Sequence, residues 1–74
     1  MKSTVEKFES GWIGIGFALR PDEVDEMIAL LTSLKTGKLD HFHLRNDDFS
    51  GDEGIADVEF SIKGVGEADN LTFT

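Results

Sequence analysis

The stretch PDEVDEMIALLTSLK, Pro21 to Lys35, constrains the fold most, because it is the only segment with helical periodicity and it divides the strand-like runs into two groups. Val24, Met27, Ile28, Leu31 and Leu34 follow the spacing of one buried helix face. Pro21 suits the first helical position, and Asp22, Glu23, Asp25 and Glu26 place negative charge at the positive end of the helix dipole. Lys35 favours the other end, and Gly37 can adopt the left-handed conformation that stops a helix. The spacing therefore predicts one amphipathic helix lying as a lid on a small sheet.

Five strands are expected around it. Residues 3–8 form a short first strand, and Glu9, Ser10 and Gly11 a turn. In residues 12–19, Ile13, Ile15, Phe17 and Leu19 alternate with Trp12, Gly14, Gly16 and Ala18, the pattern of a half-buried strand. The two glycines imply close approach of another group or a bend. After the helix, residues 39–45 set Phe42 and Leu44 on one face and His41 and His43 on the other. Residues 46–54 read as a polar loop. Residues 55–63 turn Ala56, Val58, Phe60 and Ile62 inward and Asp57, Glu59 and Ser61 outward. A turn around Gly64 and Gly66 leads to a fifth strand at residues 70–74, with Leu71 and Phe73 inward.

The expected architecture is a single α+β domain, a two-layer sandwich of order β-β-α-β-β-β with one helix on one face of a mainly antiparallel sheet. One helix covers one sheet face. The other face, carrying Trp12, Gly14, Gly16, His41, His43, Asp57 and Glu59, is left for water or a partner.

Size and charge narrow the function. A chain of 74 residues is one domain, and such a domain buries only roughly 60% of its unfolded surface, so association would help it. The formal charge is −8, with 15 acidic against 7 basic residues. That argues against direct nucleic-acid binding; acidity taken alone serves solubility first, and it also suits a protein partner with a basic surface. No apolar run reaches the roughly 18 residues of a membrane span. The N-terminal run lacks a signal-peptide core and there is no cysteine, so a cytoplasmic location is expected.

Several residue groups could carry chemistry. Gly11 falls in the turn before a strand and Gly14 and Gly16 inside that strand, not in the strand-to-helix turn that a dinucleotide fingerprint requires. His41 and His43, two apart on a strand, put two imidazoles on one face, with Asp57 or Glu59 as a third metal ligand if the neighbouring strands pair. His41, His43 and Asp57 are therefore the candidate metal ligands, set against a plain surface pair and against an interface patch. The loop from Asn46 places Asn46, Asp48, Ser50, Gly51 and Asp57 at calcium-loop positions, but between strands and without the closing glutamate. No nucleophile setting is present, and a chain of 8.2 kDa leaves little room for a pocket of several hundred cubic ångströms, so neither enzymatic activity nor a resident cofactor is expected. Trp12, the only tryptophan, is of a residue type enriched at binding hot spots; the alternatives are that it folds over the Gly14 and Gly16 surface or is sheltered by the N-terminal strand.

The run His41-Phe42-His43-Leu44, the acidic loop and the closing Asn70-Leu71-Thr72-Phe73 resemble small bacterial immunity proteins of polymorphic-toxin systems, over the second half of the chain. Phe49, Ser50 and Gly51 stand where that pattern has a tryptophan and paired glycines. The resemblance implies a cytoplasmic, non-enzymatic protein that binds and blocks a toxin. The partner-binding residues expected are Trp12, His41, His43, Asp47, Asp48, Asp52, Glu53, Asp57 and Glu59. A phage anti-defence inhibitor mimicking nucleic-acid charge fits the same physics. A metal-binding module or small metal-dependent enzyme built on the His-x-His pair and a homodimer joined through an exposed sheet face or edge are the remaining alternatives.

Overall fold

The computed structural model describes residues 1–74. It has four strands and one helix: β1 (Lys2–Lys7), β2 (Ile13–Ala18), α1 (Pro21–Lys35), β3 (His41–Arg45) and β4 (Asp57–Ser61). The class is α+β, with strands before and after a single helix.

Local chemistry accounts for the bounds of α1. Arg20 is the extended N-cap and Pro21 holds the first helical position. An arginine side chain has no acceptor, so only half of a capping box forms: the Glu23 carboxylate accepts the Arg20 backbone N–H at 3.0 Å. The far end closes as a Schellman turn. Gly37 takes φ +82°, its N–H donates to the Leu34 carbonyl at 3.3 Å, and the Lys38 N–H donates to the Ser33 carbonyl at 2.9 Å.

The strands form two separate antiparallel hairpins and not one sheet. β1 pairs with β2 in a register that sets Val5 opposite Ile15 and Ser3 opposite Phe17. β3 pairs with β4, with Phe42 opposite Phe60, His43 opposite Glu59 and Arg45 opposite Asp57. The expected single platform is absent because no backbone ladder joins the hairpins. Side chains meet there instead, and Lys7 Nζ donates to Glu53 Oε2 at 2.7 Å. The expected fifth strand is absent too. The turn before it forms, with Gly66 at φ +90° and the Gly64 N–H donating to Glu67 Oε2 at 2.6 Å. Residues 70–74 pair with no strand, and Leu71 and Phe73 stay exposed.

The expected close approach at the β2 glycines is observed. The Phe8 ring comes within 3.5 Å of where a Gly14 side chain would begin, and Thr4 Oγ1 within 2.7 Å of the same point on Gly16. It is Phe8, not Trp12, that lies over this surface.

The core centres on the second hairpin. Only Leu34 and Phe42 are buried, and Phe42 stacks on Phe60 at a centroid distance of 5.0 Å. The inward side of α1 is Glu23, Met27, Leu30 and Leu34. This corrects the face expected from periodicity by roughly one-fifth of a turn. Met27 and Leu34 are shared, but Val24, Ile28 and Leu31 remain exposed. Apolar residues cover so broad an arc of this helix that spacing alone admits either rotation. Glu23, tied by Arg20 and by the Met1 ammonium at 2.6 Å, accompanies the observed one.

Much apolar surface stays open. The accessible surface is 6728 Å², whereas a folded monomer of this mass exposes about 4500 Å². The radius of gyration is 14.4 Å, against about 11 Å for a compact domain of this length. Ile13 and Ile15 of β2, the strand face expected to be buried, are 57% and 52% exposed.

These facts give contrasting outcomes for two substitutions. Phe42→Ala removes a buried aromatic, a change that costs about 3–5 kcal/mol, comparable with the whole stability of so small a core. It should leave the isolated chain largely unfolded by circular dichroism. Ile15→Thr on the open face should change stability by less than about 0.5 kcal/mol. Equal melting temperatures for Phe42→Ala and the parent would contradict this placement of the core.

Candidate functional site

Two surfaces carry the residues singled out in the sequence, and they lie on different hairpins. On the second, strand alternation turns Phe42, Leu44, Val58 and Phe60 to one side and His41, His43, Arg45, Asp57, Glu59 and Ser61 to the other. The antiparallel register then fixes which charges meet. His43 Nδ1 lies 3.0 and 3.1 Å from the two Asp57 oxygens, and Arg45 Nε donates to Asp57 Oδ1 at 3.1 Å. His43 Nε2 lies 3.6 Å from Glu59 Oε1. The His41 and His43 rings meet edge to face at 5.1 Å.

The convergent donor set is therefore His41, His43 and Glu59, whose ligand atoms all fall within 4.8 Å of one another. Asp57, the other acidic candidate, is engaged by His43 and Arg45 from the side. Desolvation by its neighbours is the largest single influence on Asp57 and raises its pKa. The hydrogen bonds from Arg45 and His43, with the charges of both, outweigh it and hold the carboxyl below its ordinary value.

The acidic loop does not gather its oxygens. Asn46 Oδ1 accepts the backbone N–H groups of Asp48 at 2.9 Å and Phe49 at 3.0 Å, an Asx turn that uses the oxygen a calcium loop would aim at its ion. Phe49 sits at φ +51° and is exposed. Asp47, Asp48 and Asp52 project without ion-pair partners, while Glu53 is held by Lys7. That hydrogen bond, aided by the lysine charge, lowers the Glu53 pKa. Glu23 is lowered first by its bond to the N-terminal ammonium and then by the Arg20 N–H.

Trp12 stands on the first hairpin and is 78% exposed. It lies in the turn and not at the start of β2, and its carbonyl accepts the Phe8 N–H at 2.9 Å. The structure thus brings together His41, His43, Asp57 and Glu59, and leaves Trp12 in a separate element. Sequence reasoning missed Val5, Ile13 and Ile15 as exposed apolar residues, since alternation marks one face without saying whether anything covers it.

Between the hairpins lies an open cleft of about 320 Å³, larger than expected for so short a chain. Phe17, Leu44, Ile55 and Val58 line its apolar part, with Ser3 and Asp47 at its polar part. It holds no histidine and no nucleophile next to a base. No helix is long and apolar enough to cross a membrane. Comparison of the chain with protein-family models, with curated proteins and with solved structures gave no match.

The lowered carboxyls set the sign of the acid response. Glu23 and Glu53 bind fewer protons in the folded state, so their stabilising contribution is complete above the ordinary glutamate value of 4.5 and is lost as pH falls through their lower folded values. Neutralising the net charge acts in the opposite direction by relieving repulsion. Comparing the parent with the double variant Glu23→Gln, Glu53→Gln isolates the first effect. The parent should melt higher at pH 7, and the two melting curves should converge in strong acid. A gap that stays constant with pH would contradict the pairings.

Proposed function

We propose that the protein is a small acidic inhibitor that binds a basic protein partner and blocks it by occlusion, in the manner of a cytoplasmic toxin-immunity protein and without enzymatic activity of its own. The observation that carries this reading is the open apolar side of the first hairpin, Val5, Ile13 and Ile15, on a chain of charge −8. Contiguous apolar surface rimmed by charge marks an interaction site. Free Asp47, Asp48 and Asp52 steer a basic partner, and Trp12 with the β2 isoleucines supplies the desolvated contact.

The exposed stripe of Val24, Ile28 and Leu31 extends the apolar area available to the same kind of partner. His41, His43, Asp57 and Glu59 add a polar face on the second hairpin. The likeness of the His-Phe-His-Leu strand and acidic loop to small immunity proteins is consistent with these features.

Affinity capture from host cells, run in parallel with Ile15→Asp and Trp12→Ala variants, tests this reading. A basic protein should be retained by the parent and lost with either variant. Expressed alone, that protein should arrest growth, and co-expression of the parent should restore it. Its association rate should fall by about tenfold or more from low to high salt. Retention by both variants, or a captured partner with no toxicity to relieve, would overturn the reading. Capture of a nuclease-type defence component would replace it with the nucleic-acid-mimic alternative.

A further inference from the structure

We propose that His41, His43 and Glu59 form a zinc site, with Asp57 as the group that positions His43 and a fourth coordination position left open. This inference does not rest on the inhibitor reading. It begins with the proton on His43. A neutral imidazole has one N–H and one lone pair. Nδ1 lies 3.0 and 3.1 Å from the Asp57 oxygens, and Asp57 is already held by Arg45 at 3.1 Å. In the neutral ring, Nδ1 carries the N–H that Asp57 accepts and Nε2 stays free. A carboxylate behind a ligating histidine fixes the tautomer in this way at many zinc centres.

The lone pair is then at Nε2, facing Glu59 Oε1 at 3.6 Å. In that tautomer Nε2 and Glu59 Oε1 are both free to share one cation. The His41 ring stands beside them, and all three ligand atoms fall within 4.8 Å of one another. Tetrahedral zinc, with bonds near 2.0–2.1 Å, requires ligand atoms about 3.3 Å apart. His41 and Glu59 are exposed, so their side chains have room to turn toward that spacing. Two imidazoles with one carboxylate favour zinc over calcium or magnesium, which prefer all-oxygen sites. Three protein ligands leave one position for water or for a side chain of a binding partner.

The competing arrangement is a doubly protonated His43 bonded to both carboxylates, and one experiment separates the two. The full chain, freed of metal by chelation, is titrated with zinc chloride by calorimetry and monitored by thermal unfolding and histidine ring proton resonances. The expected result is one zinc per chain, a raised melting temperature, and movement of the ring signals of both histidines, the only two in the chain. Asp57→Asn, which touches no metal, should weaken binding by about 10–100-fold. His41→Ala and Glu59→Gln should weaken it further, whereas Ser61→Ala on the same face should leave it unchanged. Calcium chloride should produce no shift.

No ring-signal movement at large zinc excess would overturn the site, and this readout on the parent stands even where a variant fails to fold. Equal affinity in His41→Ala, or an equal response to calcium, would also overturn it by showing diffuse binding to carboxylates. Unchanged affinity in Asp57→Asn would overturn the positioning role.

Discussion

The burial of Leu34 on α1 and of Phe42 on the second hairpin, the two buried side chains of the chain, is what every other element depends on. A helix of this length is marginal alone in water, and so is an isolated two-stranded hairpin. Each becomes stable only where it buries apolar surface. The stacked Phe42 and Phe60 rings supply a flat apolar surface, and the inward helix side of Met27, Leu30 and Leu34 faces the core. The capping bond at Glu23 and the Schellman turn at Gly37 then define where the helix starts and stops. They refine a helix that packing has made possible.

The same strand alternation that builds this core also builds the polar site. Each inward residue of β3 and β4 is followed by an outward one, so burying Phe42, Leu44, Val58 and Phe60 obliges His41, His43, Asp57 and Glu59 to share the opposite side. Register then sorts them. Glu59 is directly opposite His43, and Asp57 is opposite Arg45. The two carboxylates differ in role for that reason: one is neutralised by a guanidinium, while the other faces an imidazole nitrogen with no second cation nearby.

The local parts of this fold were legible in the residues. Pro21 and Gly37 mark the helix ends because capping is settled within a few residues. The turn at Gly11 and the alternation in each strand are equally local. Longer-range features were hidden. Apolar residues on α1 span an arc wide enough for two rotations, and the choice depended on Glu23, which periodicity counts as solvent-facing. Leu71 and Phe73 alternate like a strand, but alternation says which side would be buried and not whether the segment will pair. In the site, the His-x-His pair was legible from spacing. Its third member was not, because the long loop between β3 and β4 leaves the register open. A shift of two residues would have set Asp57 where Glu59 stands.

The first hairpin is the part the chain leaves unfinished. None of its side chains is buried, and it is held by its own ladder and by the Lys7–Glu53 and Met1–Glu23 ion pairs. Ion pairs on the surface stabilise by at most about 1 kcal/mol each. The excess of exposed area over that of a compact monomer is about 2200 Å², from 6728 Å² observed and about 4500 Å² expected. A standard interface takes only about 800 Å² from each partner. Covering the excess in one event would place the complex among those where binding and ordering are coupled, which bury about 1000–3000 Å². Such complexes lose part of their contact energy to ordering. In the proposed complex the exposed tryptophan and isoleucines would offset that cost, and the charge of the acidic loop would serve the rate of encounter more than its strength.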